Sequence, residues 1–397
     1  MLTLSVILIA VCVVATVVWA TVLHTARVND RALPAAVEGL HADRDAELPR
    51  LSVVLPMHNE AHDAPACIET LRSQDYPDLQ IVLSLDRSTD ETPAIAKAAA
   101  EHDPRIKAVE TTPIEGWWGK CVPMHEGAAA ADGQWLVFVD ADTRLDPKLL
   151  RAAMGLALDR GWDMIGVLPK LSTDRLFERI VQPTATMQMM YIFQPRRINR
   201  DDDRRPFGLG PFIMLSRDAY DAAHLMTAVK DDIQEDIAIA RAVHAAGRRV
   251  GLAAGDGMFH CRMFGGFREF YHGWRRIFTR MSGNRVQRLR KYAARLALLG
   301  VAMPAAEVAA LICGIVAAVQ NTPILAAPLL IAATAAMATQ LAAIRRIYRR
   351  GGSSLASVLL FPVGFAVVAW LLHDAAHSLQ RGKPVRWAGR DYVLERR

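Results

Sequence analysis

The stretch Trp135-Leu136-Val137-Phe138-Val139-Asp140-Ala141-Asp142-Thr143 joins a short apolar run to two carboxylates one residue apart. Five apolar residues in a row read as a buried strand. Asp146-Pro147-Lys148 then signals a turn into a helix running from Pro147 to Arg160. On extended backbone, residues two apart point to the same side. Paired carboxylates just beyond the carboxyl end of a strand suit a hard divalent cation that shares its shell with phosphates. Taken in isolation, the same residues also fit a solvated acidic turn after a core strand.

The surrounding sequence repeats the pattern. Strands are expected at Leu51–Pro56, Gln80–Leu83 and Ile106–Val109, and helices at Ala64–Ser73, Thr92–Glu101 and Cys121–Ala131. Buried strands alternating with helices predict an α/β domain with a mostly parallel sheet over residues 51–264. Ligands of such sheets bind beyond the carboxyl ends of the strands.

The apolar residues, 52% of the 397, pool at the two ends of the chain. Leu2 to Leu23 is an uncharged run long enough to cross a bilayer. No basic segment precedes it, which argues against a cleaved leader. Residues 1–24 are therefore expected to span the membrane, and residues 25–50 to form a linker. His24, Arg27 and Arg31 follow the run and place the next domain in the cytosol, at the inner membrane. Residues 265–295 carry Phe267, Phe270, Tyr271, Trp274, Ile277 and Phe278 on one helical face, with arginines between them. This suits a helix in the headgroup layer; a core-packed amphipathic helix is the alternative. Apolar segments at 296–319, 324–344 and 355–373 make two or three further spans, followed by a basic tail at 375–397. Arg345 to Arg350 and Arg381 to Arg390 both favour the cytosol, so a full crossing between them is in conflict. Glu307 is costly in lipid unless it faces another helix or a polar headgroup. The net charge of +6 sits beside apolar segments, which points to anionic lipid and not to nucleic acid. The five cysteines are scattered, which disfavours a zinc site or a disulfide framework.

Three further stretches carry chemistry. Val53 to Glu60 is a strand ending in the polar turn Pro56-Met57-His58-Asn59-Glu60, where a nucleotide could meet backbone groups. Leu83 to Thr92 places Asp86 just past a strand end, where a carboxylate can accept from a base N–H, and Asp90 at a helix-capping position. Lys230 to Ala238 places Glu235 and Asp236 at the start of a helix that ends near Gly247. An N-cap role is the plain reading of Asp236; directed into a cleft, it can take a proton from a hydroxyl.

In this order and spacing, the four stretches resemble the family 2 glycosyltransferases of the GT-A fold, over residues 51–274. The resemblance implies a nucleotide-diphosphate sugar donor, with UDP favoured, and Mg²⁺ or Mn²⁺. By it, Asp86 would hold the base, Asp140 the nucleotide and Asp142 the metal, with Asp140 beside it. Asp236 would be the catalytic base, next to Glu235. Lys120 matches a position near the donor, as do Pro56, Asn59 and Glu60. Gly208 and Gly210, within Phe207 to Tyr220, would let backbone approach donor sugar and acceptor. Cys261 to Phe264, Gly273-Trp274 and the tail Trp387 to Tyr392 are similar to membrane-anchored members acting on lipids, such as carotenoid-acid, hopanoid-associated and ceramide glycosyltransferases.

The chain also departs from the family. Leu85-Asp86 stands where two adjacent Asp residues are common, and Ala222-Ala223-His224 where Gly-Gly is frequent. The Gln-x-x-Arg-Trp signature of processive synthases is missing, which argues against polymer extrusion. His260 is either a third metal ligand or a histidine satisfied at a strand end. The expected activity is inverting transfer of a sugar to a membrane lipid. A metal-dependent nucleotidyltransferase and a non-catalytic membrane scaffold are the alternatives.

Overall fold

The computed structural model describes residues 2–40, 48–200, 206–232, 234–387 and 390–394. The expected linker and basic tail fall partly outside the described residues, at 41–47, 388–389 and 395–397. Ile233 of the acidic stretch also lies outside them.

The strands are β1 (Leu51–Met57), β2 (Leu79–Leu85), β3 (Ile106–Glu110), β4 (Trp135–Val139), β5 (Thr143–Leu145), β6 (Met164–Leu168), β7 (Lys170–Leu171), β8 (Phe212–Ser216), β9 (Val250–Ala254) and β10 (Phe259–Cys261), with β11 (Val385–Trp387) and β12 (Arg390–Tyr392) in the tail. Seven of them form one sheet in the order β3-β2-β1-β4-β8-β6-β9. Every residue of β1 is buried, because helices cover both faces of the sheet. This explains its continuous apolar sequence. β1 pairs in parallel with β2 and β4, and β2 with β3. The mostly parallel α/β sheet expected from the sequence is present.

One strand runs the other way. β8 is antiparallel to both β4 and β6, with Val139 opposite Phe212. An antiparallel neighbour starts where its partner ends, so residues 208–211 arrive at the carboxyl end of β4, beside Asp140. β5, β10 and β7 form a second, small sheet just past that end. These short pieces give no periodic signal of their own.

The flanks differ from expectation in two places. The first helix runs from Leu2 to Arg31, past the expected end of the span, so the first residues read as linker are helical. The segment Ala36–Gly39 then packs on the helix Leu149–Arg160, where Gly39 and Gly155 meet backbone to backbone. A Cβ on Gly155 would lie 2.0 Å from the Gly39 carbonyl oxygen. The second difference is the helix Phe267–Met281. Its aromatic face is buried: Phe270, Trp274 and Phe278 join a core with Phe177, Phe365 and Leu372. Phe270, Trp274 and Phe278 of the stripe thus pack inward under a neighbouring helix, Phe361–Gln380, as in the core-packed alternative, while Phe267 is exposed. Asp374 of that helix pairs with Arg275 at 3.1 Å.

Among the described residues, three helical stretches are long and apolar enough to cross a membrane: Leu2–Arg31, Val286–Val319 and Pro323–Arg350. The second bends into the third at Asn321-Thr322-Pro323. Asp30 forms ion pairs with Arg346, at 2.6 Å, and with Arg350, so the carboxyl ends of the first and third stretches lie at one level. Inside the bundle, Gln340 Nε2 donates to Glu307 Oε1 at 3.4 Å. Glu307 thus faces other helices. The last apolar helix, Phe361–Gln380, lies against Val286–Ala297 and Phe267–Met281, with Phe365, Leu371 and Leu372 fully buried. After it, Tyr392 packs on Trp118 of the α/β domain, ring centroids 5.2 Å apart. Both ends of this helix are therefore on the side of the α/β domain. Arg345 to Arg350 and Arg381 then lie on one side of the helical bundle, which eases the charge conflict read from the sequence.

This topology predicts a labelling pattern. The native cysteines are buried, apart from half-buried Cys313 in an apolar helix. Cysteines introduced at exposed Leu158 and Val393 should react with a membrane-impermeant maleimide from the same side of sealed vesicles. Labelling from opposite sides would mean that Phe361–Gln380 crosses the bilayer.

Candidate active site

Four backbone segments converge past the carboxyl ends of β1 and β4. The first is the turn after β4. Thr143 donates from both its N–H (3.3 Å) and its hydroxyl (2.7 Å) to the Asp140 carbonyl, which closes a turn. Asp140 and Asp142 therefore leave a turn, not the extended backbone expected, yet both carboxylates line one cavity. The second is Trp117 to Lys120, held by the Trp118 N–H donating to the Lys230 carbonyl at 2.6 Å. It ends in Lys120, whose Nζ reaches Asp140 Oδ1 at 2.5 Å. The third is Phe207 to Pro211, delivered by the antiparallel β8. The fourth is the start of the helix Glu235–Ala245.

The third and fourth segments fit closely. A Cβ on Gly208 would lie 2.1 Å from the Asp236 carbonyl oxygen, so only glycine allows this approach. The Gly210 N–H donates to Asp236 Oδ2 at 3.0 Å. A Cβ on Gly210 would sit 3.6 Å from Asp140 Oδ2 and 3.7 Å from Asp236 Oδ2, so this glycine separates the two carboxylates. Gly208 thus seats the acidic helix and does not line the cavity, whereas Gly210 does.

The cavity gathers Glu60, Lys120, Asp140, Asp142, Gly210, Glu235, Asp236 and Trp274. Burial dominates the electrostatics. It raises Asp142, with Asp140 adding to the effect and Lys120 opposing it. It raises Glu235, and the neighbouring Asp236 adds to this. Asp236 is also raised by burial, against the stabilising N–H groups of Ile237 and Gly210. Burial lowers the Lys120 ammonium, but Asp140 and Glu235 outweigh it and hold Lys120 above its ordinary value. Arg276 is a cavity residue that the sequence reading missed. Burial brings it to about 10, against the pull of Glu235 and Asp236. Its only signal in the sequence is its place two residues after Trp274, on a helix whose register the sequence leaves open.

Other expected site residues lie elsewhere. Asp86 is buried beyond β2, on the same sheet edge, but its carboxylate is engaged by Arg87 through two bonds of 2.8 Å. It does not line the cavity. Asn59, at φ 56°, accepts from the Thr89 N–H at 2.8 Å and ties the two turns together. Pro56 is buried within β1. Asp90 accepts from the Thr92 N–H at 3.0 Å, as a capping residue does. His260 is not a metal ligand candidate. Along β10, side chains alternate, and Cys261 faces Asp142 with its thiol bonded to that carboxylate. His260 consequently points away, is exposed, and contacts the Gly257 carbonyl at 2.9 Å.

The residues present fit a divalent cation shared with a ligand. Asp142 Oδ1 is buried and has no hydrogen-bond partner among the described residues. No group of three or more His, Cys, Asp or Glu side chains among the described residues forms a complete cage. One or two carboxylates completed by phosphate oxygens is the usual arrangement for Mg²⁺.

Residues 52–223 match the family model described as glycosyl transferase family 2. The chain is 32% identical over 115 residues to the uncharacterized glycosyltransferase YibD of Escherichia coli (strain K12), covering 29% of this chain and 32% of that protein. It is 30% identical over 98 residues to the GalNAc(5)-diNAcBac-PP-undecaprenol beta-1,3-glucosyltransferase of Campylobacter jejuni, covering 25% and 31%. In both cases the match spans about a third of the relative's length. Among solved structures, the mannosyltransferase PcManGT from Pyrobaculum calidifontis, in complex with GDP-Man and Mn²⁺, superposes with a TM-score of 0.47 and 21% identity, over 90% of this chain and 98% of that one.

The buried acids give a pH signature. Burial raises Glu60 from 4.5 to about 7, with Lys120 opposing and Asp142 adding. Between these values the folded chain holds a proton that the unfolded chain has released, so stability falls as pH rises. Thermal unfolding of ligand-free protein should show a lower melting temperature above pH 7 than below pH 5, with a smaller difference in Glu60→Gln. An unchanged difference would remove Glu60 from the buried cluster.

Proposed function

We propose that this chain, a family 2 glycosyltransferase in its residues 52–223, moves a hexosyl group from a nucleotide-diphosphate sugar to a membrane lipid with inversion at the anomeric carbon. One observation carries the lipid part of this reading. The acid cluster opens into a single cavity of about 1580 Å³, and the same cavity is lined by Val18 and Val22 of the first helix, Met190, and Leu299 and Met303 of the second apolar stretch. A purely aqueous acceptor would have no use for such a wall. A lipid acceptor needs one, because its chain stays in an apolar environment while its head reaches the carboxylates. The undecaprenol-linked acceptor named for the Campylobacter jejuni relative is of the same chemical kind. UDP is the nucleotide that family habit favours, and the membrane is the inner membrane with the α/β domain in the cytosol.

The residues divide the work. Asp236, half-buried and raised by that burial, accepts the proton of the acceptor hydroxyl as its oxygen attacks the anomeric carbon. Gly210 fixes the carboxylate by its N–H, which directs the remaining lone pairs at the cavity. On the opposite face of the sugar, the bond to the diphosphate breaks, and negative charge grows on the departing oxygen. Lys120 and Arg276 are the cations placed to stabilise that charge. A divalent cation held through Asp142, with Asp140 beside it, would neutralise the diphosphate further. Asp86 and Asn59 set the turns on the sheet edge next to the cavity, where the base would lie. The family match favours glycosyl transfer over the nucleotidyltransferase and scaffold readings.

Membranes carrying the chain should pass label from a radioactive UDP-hexose into the lipid extract and release UDP. Asp236→Asn should lower transfer by about 10²–10⁴-fold while leaving UDP binding in place. Asp142→Ala should abolish the metal-dependent part of donor binding. Full turnover in Asp236→Asn would reject the assigned base, and release of pyrophosphate instead of UDP would reject glycosyl transfer.

A further inference from the structure

The cavity carries more positive charge than the acid cluster needs. Several of its cations are already matched. Arg346 and Arg350 are paired with Asp30, and Arg280 with Asp232. Lys120 and Arg276 lie in the field of the carboxylates. Lys170, Arg196 and Arg349 form no ion pair among the described residues either, but they are exposed; Arg295 is partly buried. Among the described residues it forms no ion pair, although it lines the cavity and is only partly exposed. Its guanidinium lies over the Tyr191 ring, 3.5 Å from the centroid, and Nη1 donates to Gln188 Oε1 at 2.9 Å. That uses one of the five N–H donors a guanidinium offers. The other end of the same amide, Gln188 Nε2, is buried and has no acceptor among the described residues. Gln188 is fully buried behind the cavity wall and holds the guanidinium in place, while the remaining guanidinium donors have no acceptor among the described residues. Lys291, one helical turn earlier on the same face, also lines the cavity and forms no ion pair among the described residues.

The position matters as much as the charge. Arg295 stands where the polar part of its helix gives way to apolar Leu298, Leu299 and Met303, all on the cavity wall. An uncompensated cation at a membrane boundary is costly unless a ligand completes it. A lipid with an anionic head fits both halves: its tail lies along the apolar wall while its oxygens meet the guanidinium.

We infer that Arg295, held in place by Gln188 and assisted by Lys291, forms a subsite for an anionic oxygen headgroup, phosphate or carboxylate, on the lipid acceptor. This rests on the lipid-acceptor reading above and narrows it to a substrate class. Guanidinium binds both groups through paired N–H donors. Cation–π contact with Tyr191 holds the plane of the guanidinium and leaves its edge for the ligand.

The test needs no sugar transfer, so it stands or falls apart from the catalytic assignment. Binding of phytanyl phosphate, phytanic acid and phytanol to the full chain in nanodiscs is followed by tryptophan fluorescence, without donor. UDP with Mn²⁺ is titrated separately. The expected result is at least about tenfold tighter binding of the phosphate or the acid than of the alcohol, following the strength of charge-assisted pairs. Arg295→Gln should remove that preference, Arg295→Lys should keep most of it, and UDP binding should be unchanged in both. If Arg295→Gln fails to fold, Lys291→Gln should still reduce the preference. Equal binding of alcohol and phosphate would overturn the subsite. So would loss of UDP binding in Arg295→Gln with alkyl phosphate binding intact, since the cation would then serve the donor. Inorganic phosphate that binds as tightly as phytanyl phosphate would show a free-phosphate site and would equally overturn it.

Discussion

Asp140, Asp142, Glu235 and Asp236 are packed around one ammonium, that of Lys120. Burying so many carboxylates together is expensive unless protons, cations or donors offset it. The fold supplies some compensation: Lys120 at Asp140, the Gly210 N–H at Asp236, the Cys261 thiol at Asp142, and Arg276 nearby. It leaves Asp142 Oδ1 without a partner. The local charge is thus incomplete, and in the proposed reading a divalent cation held through Asp142 and shared with a diphosphate would complete it. The same burial that strains the resting site makes Asp236 a stronger base than an ordinary carboxylate.

This arrangement depends on one reversed strand. Were β8 parallel to β4, residues 208–211 would end at the opposite edge of the sheet, and Asp236 would lose both Gly208 and Gly210. The helices then set the far wall of the cavity. Phe267–Met281 buries its aromatic face and thereby turns Trp274 and Arg276 to the cavity. The ion pairs of Asp30 tie the first helix to the third apolar stretch beneath the α/β domain. The acid cluster and the apolar helices therefore line one cavity.

Much of this was legible in the residues themselves. β4 reads at its true bounds because five apolar residues end abruptly in charge. The acidic pairs at 140–142 and 235–236 announce themselves, and the structure brings them together. Asp86 was harder, since a lone carboxylate after a strand gives no hint that the next residue, Arg87, folds back onto it at φ 50°. His260 and Cys261 show the limit of motif reading: period-2 alternation allows only one of them to face Asp142, and which one depends on the register of β10 against β5. The aromatic stripe at 267–278 has the same pattern whether it meets lipid or core. Only the partner helix, Phe361–Gln380, decides between them, and that is a long-range contact. Arg276 and Arg295 were invisible for the same reason, because surface arginines and cavity arginines look alike in sequence.

The central claim is that the buried carboxylates and the membrane-facing wall belong to one cavity. Photolabelling with a benzophenone-tailed alkyl phosphate in nanodiscs, followed by peptide mapping, measures this directly. The account predicts that label falls on the peptides containing Met187 to Tyr191 and Leu298 to Met303, and that it is lost when excess unlabelled alkyl phosphate is added. Label confined to outward-facing Leu176, Leu359 and Trp370, and insensitive to competitor, would contradict it.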